Sequence, residues 1–423
     1  MTGTAGIDVI CGNGRRLEDH RTIVGDTIIE EIYAKAARLG GKKMVHINST
    51  SQGGGVAEML HSLIPLMNDA GIAADWKVLH GCDDFFAITK QFHNALQSEH
   101  VDLPSESIDH YLETNKQFSS RLSIDHDFVV VHDPQPLPLI QFFEKSQPWI
   151  WRCHVDLSTP DMSVWQILEA FVTRYDHMII SHPAYRRETL IMDQMIFHPA
   201  IDPLSEKNRD LPAEVIADTL ASFGIATDKP LITQISRFDK WKDPEGVIDI
   251  FLRVRREVDC RLVLCGSMAP DDPEGWEIYQ RVVDRAGDLV TTGDVILITC
   301  ENSTLVNVLQ RVSDVIIQKS LREGFGLTVT EALWKERPVV ASRAGGIPLQ
   351  ITDGETGFLV DPRDTAGFAE RALQILRDPE LGRQLGRNAK EHVREHFLIT
   401  RLVAEYLDLM MRENGNGQDK RRL

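Results

Sequence analysis

The sequence predicts an α/β protein made of two doubly wound halves, each with a parallel sheet covered by helices on both faces. At 423 residues the chain is too long for one ordinary core, and two domains of about 200 residues are expected. Short apolar strand patterns alternate with helical ones, which is typical of buried parallel sheets. A turn-rich stretch, HPAIDPLSEKN at 198–208, interrupts this alternation once. We therefore expect one domain over 1–203, completed by a C-terminal helix over 398–423, and a second over 204–397.

The first half contains six predicted strands, at 43–48, 76–79, 128–132, 149–154, 178–181 and 195–198. Helical patterns separate them, at 56–70, 84–96 and 105–122, and another precedes the first strand. The second half repeats the pattern with strands at 231–236, 261–265, 295–299, 315–318, 338–341 and 357–360, followed by helices from 365 onward. Open α/β sheets bind ligands outside the carboxyl ends of their strands, so two such sheets suggest a cleft between them.

Composition excludes several classes of protein. The net charge of −17, from 63 acidic and 46 basic residues, disfavours nucleic acid and anionic membranes as partners. No window reaches the 18 apolar residues of a membrane span, and the N-terminus lacks the apolar stretch of a signal peptide. The six cysteines are scattered without a CxxC pair, which indicates reduced thiols in a cytoplasmic protein.

A glycine-rich segment, STSQGGG at 49–55, lies between the first strand and a helix. Gly53, Gly54 and Gly55 let the backbone approach a ligand closely, and the helix start presents free N–H groups and a partial positive charge. Such a loop suits a phosphate or a sugar hydroxyl, although a purely structural tight turn is the alternative. The spacing is not the GxGxxG dinucleotide pattern.

A basic segment, SRFDKWKD at 236–243, directly follows the first strand of the second half. Arg237 and Lys242 leave the carboxyl end of a buried strand, where together they could neutralise a diphosphate. The alternative is a solvated turn.

A third segment, REGFGLTVTE at 322–331, follows the strand at 315–318 and opens a helix. Glu323 lies in the loop and Glu331 within the helix, while Gly324 and Gly326 expose amides at the helix start. Carboxylates only accept hydrogen bonds, so they suit pairs of sugar hydroxyls. The alternative is an acidic residue that complements the helix dipole.

No dedicated metal site is predicted. The DxD motif at 125–127 precedes a strand and so lies at the wrong sheet edge, and the aspartate pair at 271–272 is expected on a surface turn. A Mg²⁺ ion could accompany a diphosphate without a site of its own. Trp149, Trp151 and Trp165 could stack on sugars, but core packing is the favoured interpretation.

These motifs resemble those of retaining glycosyltransferases of family 4, which have the two-domain GT-B fold. Glu323 to Glu331 matches the EX7E element of that family, and 236–243 fits its Arg and Lys diphosphate ligands. AGGIP at 344–348 with DGETG at 353–357 fits its next strand-end loop.

The first half looks very like the trehalose glycosyltransferring synthases, with retaining trehalose phosphorylases as near relatives. The resemblance is carried by HINSTSQGGGVAEMLHSLIPL at 46–66, FHNALQ at 92–97, VVHDPQP at 130–136 and WIWRCHVDLS at 149–158. It implies reversible transfer of glucose from a nucleoside diphosphate glucose (ADP- or UDP-glucose) to glucose, forming α,α-trehalose.

The resemblance also implies residue roles. Arg237 and Lys242 would hold the diphosphate and stabilise the departing charge, and Glu331 would accept hydrogen bonds from the ribose. The donor glucose would be positioned by Glu323 and the amides of Gly324, Phe325, Gly326 and Leu327, and the loop of Gly53, Gly54 and Gly55 would face the phosphates. His154 would lie near the anomeric carbon, and Asp133, Gln135 and His154 would contact the acceptor.

Three alternatives remain open. One is phosphorolysis of a glucoside, and another is transfer to a different acceptor by a family 4 glycosyltransferase. From a different class comes a nicotinamide dehydrogenase or a silent nucleotide-binding protein, against which the missing dinucleotide pattern argues. The donor base is not fixed by the sequence, and its contacts are expected around 267–268 and 301–304. No cofactor is required, and a homodimer is the default expectation.

Overall fold

The computed structural model describes residues 15–266, 268 and 273–420 of the chain. These residues form two compact units, one made of 15–200 together with 399–420 and the other of 201–398. Each unit has its own six-stranded sheet.

The first unit begins with a 3₁₀ turn at Leu17–His20 and contains six strands: β1 (Lys43–Asn48), β2 (Ala73–Val78), β3 (Phe128–His132), β4 (Trp149–Arg152), β5 (His177–Ile180) and β6 (Asp193–Ile196). Its helices are α1 (Arg21–Val24), α2 (Asp26–Leu39), α3 (Gly54–Ala70), α4 (Asp83–Leu96), α5 (Ser105–Ser119) and α6 (Met162–Val172), with α16 (Ile399–Lys420) from the chain end and 3₁₀ turns at Leu137–Phe142 and Pro183–Tyr185.

The strand order of this unit is β2-β1-β3-β4-β5-β6, and every strand pair is parallel. Successive side chains of a strand point to opposite faces. Met44, for example, packs with α2, α3 and α16, whereas Val45 packs with α4, α5 and α6 on the other face. Trp149, Trp151 and Trp165 are fully buried in the second of these cores, which confirms the packing interpretation.

The second unit has strands β7 (Leu231–Ile235), β8 (Arg261–Cys265), β9 (Val295–Ile298), β10 (Val315–Gln318), β11 (Val339–Ser342) and β12 (Phe358–Val360). Its helices are α7 (Ala213–Ser222), α8 (Pro244–Val254), α9 (Pro273–Ala286), α10 (Asp288–Thr291), α11 (Ser303–Val312), α12 (Leu327–Trp334), α13 (Ile347–Gln350), α14 (Thr365–Arg377) and α15 (Pro379–His396), with a 3₁₀ turn at Lys240–Lys242.

The strand order of the second unit is β12-β11-β10-β7-β8-β9, again with parallel pairs only. The order reverses between β7 and β10, and in the first unit it reverses between β1 and β3. At such points the two strand-end loops diverge and leave a crevice, which is where open α/β sheets bind ligands.

All twelve predicted strands are present, and the predicted fold class is confirmed. Their ends differ by up to three residues: the strand predicted at 76–79 begins at Ala73, and the one predicted at 149–154 ends at Arg152. The turn-rich segment at 198–208 is held by buried polar contacts. Asp202 and Asn208 within it are buried, and the Asn208 amide donates to the Asp202 carbonyl at 3.1 Å. In the part of the chain that the structure describes, no helix is both long and apolar enough to cross a bilayer.

Candidate functional site

The crevice of the second unit is bordered by the loops that follow β7 and β10. The basic segment 236–243 leaves β7, and the loop 319–326 leaves β10. Two of the predicted segments therefore meet at the ligand-binding edge of one sheet.

Lys242 and Glu323 form the centre of this edge. Lys242 Nζ lies 2.5 Å from Glu323 Oε2, and Ser320 Oγ donates to the same oxygen at 3.0 Å. Both charged side chains are largely withdrawn from solvent, with exposed fractions of 18% and 10%. Arg237, predicted to act beside Lys242, is 60% exposed and its guanidinium pairs with Asp239 at 3.0 Å.

The backbone of Lys242 is held by a buried glutamine of β7. Gln234 Nε2 donates to the Lys242 carbonyl at 2.9 Å, while Gln234 Oε1 accepts from the Lys319 amide at 2.8 Å. The Gln234 side chain thus links the end of β7 to both loops, and this fixes the position of the Lys242 backbone.

Asp243 anchors the other side of Lys242. It has a left-handed backbone (φ +41°), and its carboxylate caps α8 by accepting from the Gly246 amide at 3.0 Å. The other carboxylate oxygen pairs with Lys319 Nζ, whose side chain is 3% exposed. A buried ammonium of this kind needs its partner, because an unpaired buried charge is costly.

A second glutamine orients Glu323 through the Ser320 hydroxyl. Gln318, the last residue of β10, donates to Ser320 Oγ at 3.1 Å and accepts from Thr328 Oγ1 at 3.1 Å. Since Ser320 in turn donates to Glu323, the carboxylate is oriented from the strand end.

The start of α12 is open to an anion. Gly326 precedes the helix with φ +86°, no side chain caps its first turn, and that turn holds no acidic residue. A Cβ atom at Gly326 would lie 3.3 Å from Glu323 Cγ, so the glycine lets the carboxylate pack against the loop. The Phe325 side chain is buried, and its carbonyl accepts from Gln350 Nε2 at 2.6 Å. The amides that follow Gly324 are thereby presented by a fixed backbone.

Glu331 lies inside α12 and is only 2% exposed. Gln310 Nε2 donates to Glu331 Oε2 at 3.0 Å, and Lys207 Nζ lies 3.9 Å from Oε1. Lys335 Nζ donates to Gln310 Oε1 and to Asn208 Oδ1, both at 2.7 Å, and burial lowers the pKa of Lys335 to about 7. The Glu331 carboxylate is therefore held by a buried polar network that includes Gln310 and Lys335.

In the first unit, the glycine-rich loop joins β1 to α3. Gly53 and Gly54 have φ values of +71° and +77°, which side-chain-bearing residues rarely adopt, and the first turn of α3 carries neither a cap nor an acidic residue. Asn48 Nδ2 donates to the Thr50 carbonyl at 2.6 Å, and His61 Nε2 donates to the Ser51 carbonyl at 2.9 Å. Gly53, Gly54 and Gly55 are exposed, so their amides are available to a ligand.

Asp133 and His154 are brought together at the ends of β3 and β4. The His154 amide donates to Asp133 Oδ1 at 2.8 Å, and Asp133 itself has φ +61°. Burial raises the pKa of the Asp133 carboxyl to about 7. Gln135 turns its amide toward His93, with 3.1 Å between the two Nε2 atoms.

His154 is the outer member of a chain of three hydrogen-bonded histidines. His154 Nε2 lies 3.0 Å from His132 Nδ1, and His132 Nε2 lies 2.9 Å from His46 Nδ1. Burial lowers the pKa of every member, to about 3 for His46, so the rings are neutral at pH 7.

The acidic pair at 125–127 considered for a metal lies away from these loops. Asp125 and Asp127, before β3, pair with Lys43 at 2.8 Å and Lys42 at 2.7 Å. Among the described residues no three His, Cys, Asp or Glu side chains are gathered as metal ligands. The predicted surface pair at 271–272 and the predicted base contact at 267 lie outside the described residues.

Sequence reasoning missed the residues that hold the site in place. They are His46, Gln234, Gln310, Gln318, Lys319 and Lys335, all buried. A signal was present for the strand residues, because a polar side chain inside an apolar buried strand is costly unless it is paired. Gln234 in LITQIS and His46 in KMVHIN are such cases.

Comparison with known families assigns both units. Residues 46–187 match the family model "Trehalose synthase, N-terminal domain", and residues 216–392 match "Glycosyl transferases group 1". A trehalose synthase from Thermococcus litoralis is 48% identical over 403 residues, which is 94% of this chain and 97% of that protein. A trehalose phosphorylase from Grifola frondosa is more distant, at 28% identity over 89% of this chain and 58% of that protein.

Solved structures agree on the fold. An α,α-trehalose-phosphate synthase from Burkholderia xenovorans superposes with a TM-score of 0.70 at 14% identity, covering 88% of this chain and 99% of that one. The two Rossmann-like units are those of the GT-B glycosyltransferases. With relatives this similar along nearly its whole length, the chain belongs to the trehalose synthase family of glycosyltransferases.

Proposed function

We propose that the protein transfers glucose, with retention of configuration, from ADP- or UDP-glucose to free glucose, and that the product is α,α-trehalose in a reversible reaction. The observation that carries this proposal is the Lys242–Glu323 pair at the strand ends of the second unit. The similarity to proteins named trehalose synthase supports the product.

The leaving group decides which charges the protein needs. When the bond between the anomeric carbon and the diphosphate oxygen breaks, negative charge develops on the diphosphate, and a fixed cation lowers the energy of that state. Lys242 supplies a compact ammonium in the loop after β7, and Arg237 lies on the same loop. The anomeric carbon then bonds to a hydroxyl oxygen of the acceptor, and that hydroxyl's proton passes to the departing diphosphate.

Glu331 supports a nucleotide donor over inorganic phosphate. Its carboxylate is oriented by Gln310, and a carboxylate accepts from two vicinal hydroxyls such as those of a ribose. Inorganic phosphate has no pair of vicinal hydroxyls. Glu323, with Gly324, Phe325, Gly326 and Leu327 after it, is the proposed seat of the donor glucose.

The first unit supplies the proposed acceptor ligands. His154, Asp133 and Gln135 stand at the ends of β3 and β4, and the open amides of Gly53–Gly55 at the start of α3 are the proposed phosphate ligands of this unit. A hydrolase of glycosides would instead need two opposed carboxylates around one bond.

The test is product analysis with the purified protein. Glucose labelled with ¹³C is incubated with ADP-, UDP- or GDP-glucose in turn, with and without Mg²⁺, and the disaccharide is identified by NMR. We expect α,α-linked trehalose carrying one labelled ring, and trehalose plus nucleoside diphosphate should return the sugar nucleotide. Formation of glucose 1-phosphate from trehalose and inorganic phosphate alone would identify a phosphorylase, and a different disaccharide would identify another acceptor.

A further inference from the structure

The three histidines lie on one face of the sheet because of strand register. His46 on β1 and His132 on β3 both point to the face covered by α16, where Tyr406 packs edge-on against the His46 ring with centroids 5.2 Å apart. His132 pairs with Arg152 of β4 in the sheet, and His154 follows Arg152 by two residues. The chain of rings therefore runs from the buried interior to the strand ends.

The inner end of this chain is closed. His46 Nε2 is buried and has no hydrogen-bond partner in the described part of the protein. Protons cannot pass beyond it, so the chain cannot conduct them. Each neutral ring has one N–H donor and one bare nitrogen. The chain of three hydrogen-bonded rings therefore has two tautomeric states, which differ in the direction in which every N–H donates.

The two states differ at both ends. If every N–H points outward, His46 Nε2 is a bare nitrogen in the core and His154 carries its proton on Nδ1. If every N–H points inward, a buried N–H is left without an acceptor at His46 Nε2, and His154 Nδ1 is bare. Either end state leaves one buried nitrogen of His46 without a hydrogen bond, so the charges around the inner end decide between the two states.

A buried cation favours the state in which every N–H points outward. Arg152 is 1% exposed, donates to the Tyr406 hydroxyl at 2.7 Å, and acts on all three histidines. The Arg152 guanidinium carbon lies 5.5 Å from the centroid of the Tyr406 ring, which packs on His46, so the positive charge lies at the inner end of the chain. There it attracts the bare nitrogen of His46 and repels the positive ends of N–H groups, which favours N–H groups that point outward. His154 Nδ1 is then a donor, and it has no partner within the described protein.

We propose that His46 and His132 are positioning residues that hold His154 in the tautomer protonated at Nδ1, so that this nitrogen donates a hydrogen bond to an oxygen of the sugar ligand. This inference rests on the proposed function, because it takes the ligand at His154 to be a sugar. His46 and His132 do not contact the substrate themselves and act only through His154.

The tautomer is measured directly on the full-length protein labelled with ¹⁵N-histidine. Long-range ¹H–¹⁵N spectra distinguish protonated from bare ring nitrogens, and His154→Gln assigns the His154 signals. We expect a protonated Nδ1 and a bare Nε2 for His154 without any ligand. A His154 protonated at Nε2 instead would overturn the proposal.

Two nearly isosteric replacements of His132 test the consequence for activity. In His132→Asn an amide N–H can still donate to His154 Nε2, so transfer should stay within about threefold of the unsubstituted protein. In His132→Asp the carboxylate only accepts, so the proton moves to Nε2, Nδ1 loses its donor, and turnover should fall about 100-fold. Equal turnover and equal spectra for the two variants would contradict the positioning role.

Failure of this inference is distinguishable from failure of the proposed function. If the proposed function is wrong, the unsubstituted protein makes no trehalose whatever its spectrum shows. If only the positioning role is wrong, the protein makes trehalose while His154 is protonated at Nε2. Should His132→Asp not fold, as judged by circular dichroism, the spectrum of the unsubstituted protein still decides.

Discussion

Lys242 Nζ and Glu323 Oε2 lie 2.5 Å apart although 81 residues separate them in the chain. Each belongs to the loop after one of two neighbouring strands, β7 and β10. Gln234 of β7 holds the Lys242 carbonyl directly, and Gln318 of β10 orients Glu323 through Ser320. The pair is thus a product of sheet topology and not of local sequence. It places a fixed cation and a fixed hydrogen-bond acceptor at one point of the crevice.

Replacing Lys242 by Ala should lower turnover at least about 100-fold, because one preorganised charge at a developing anion is worth about 10²–10³ in rate. Steady-state kinetics with saturating donor and acceptor measure this. Lys240→Ala is the matched control, since Lys240 lies in the same 3₁₀ turn but its ammonium sits over the Trp241 ring. Near-normal turnover of Lys242→Ala would remove this lysine from the mechanism.

The contact between Lys242 and Glu323 can be isolated by a double-mutant cycle with Glu323→Gln. Either single change leaves the other charge largely buried without its partner, so the two losses of activity overlap. We expect the double variant to be clearly less impaired than the product of the single effects. Strict multiplication of the two effects would mean that the residues act independently.

Glu331 is predicted to recognise the ribose of the donor. The unsubstituted protein should lose about 10–100-fold in kcat/KM with a deoxyribose form of its donor, since a hydrogen bond to a charged group contributes about 1.5–3 kcal/mol. Glu331→Ala should be poor with both donors and no longer distinguish them. Glu370→Ala, at an exposed position of α14, is the control that should retain full discrimination. Discrimination that survives in Glu331→Ala would place the ribose elsewhere.

The ion pair between Asp243 and the buried Lys319 should dominate the stability of the loop that carries Lys242. Asp243→Asn keeps a side chain that tolerates φ +41° and can still cap α8, but it leaves the Lys319 ammonium unpaired. We expect a loss of about 3 kcal/mol in unfolding free energy, measured in urea on the transition of the second unit.

Lys319→Met should rescue that variant. With the ammonium removed, Asp243→Asn no longer strands a buried charge, so the double variant should be more stable than Asp243→Asn alone. A double variant that is less stable than both single variants would show that the pair is not the source of the loss.

The sequence was sufficient for the strands because parallel strands buried on both faces are continuous apolar runs. It also located the loops that carry Arg237, Lys242 and Glu323, since ligand-binding side chains follow strand ends. It could not tell which of the two basic residues meets the carboxylate: Lys242 does, while Arg237 turns to Asp239, its neighbour two residues on. That choice depends on the route of a short 3₁₀ turn.

Long-range networks were beyond reach for a different reason. The contact of His46 with His132 depends on strand register between β1 and β3, and the hold on Glu331 depends on Gln310 from another helix. Asn208 looked like a turn residue but accepts a hydrogen bond from buried Lys335. Such partners are far apart in sequence, and composition carries no record of them.

Asp133 makes the stability of the protein depend on pH in a predictable direction. Burial raises the pKa of its carboxyl from 3.8 to about 7, so between these values the folded state binds the proton more tightly than the unfolded chain. The contribution of Asp133 is therefore fully present below about pH 4 and is lost as pH rises to about 7.

Asp133→Asn removes the titration, and Asn accepts the same φ of +61° and the hydrogen bond from the His154 amide. The quantity to measure is the difference in urea midpoint between the unsubstituted protein and this variant. We expect this difference to fall from pH 5 to pH 7 and to level off at pH 8. A difference that is constant, or that grows with pH, would mean that the carboxyl is ionised throughout and that its oxygens accept more hydrogen bonds than the one from His154.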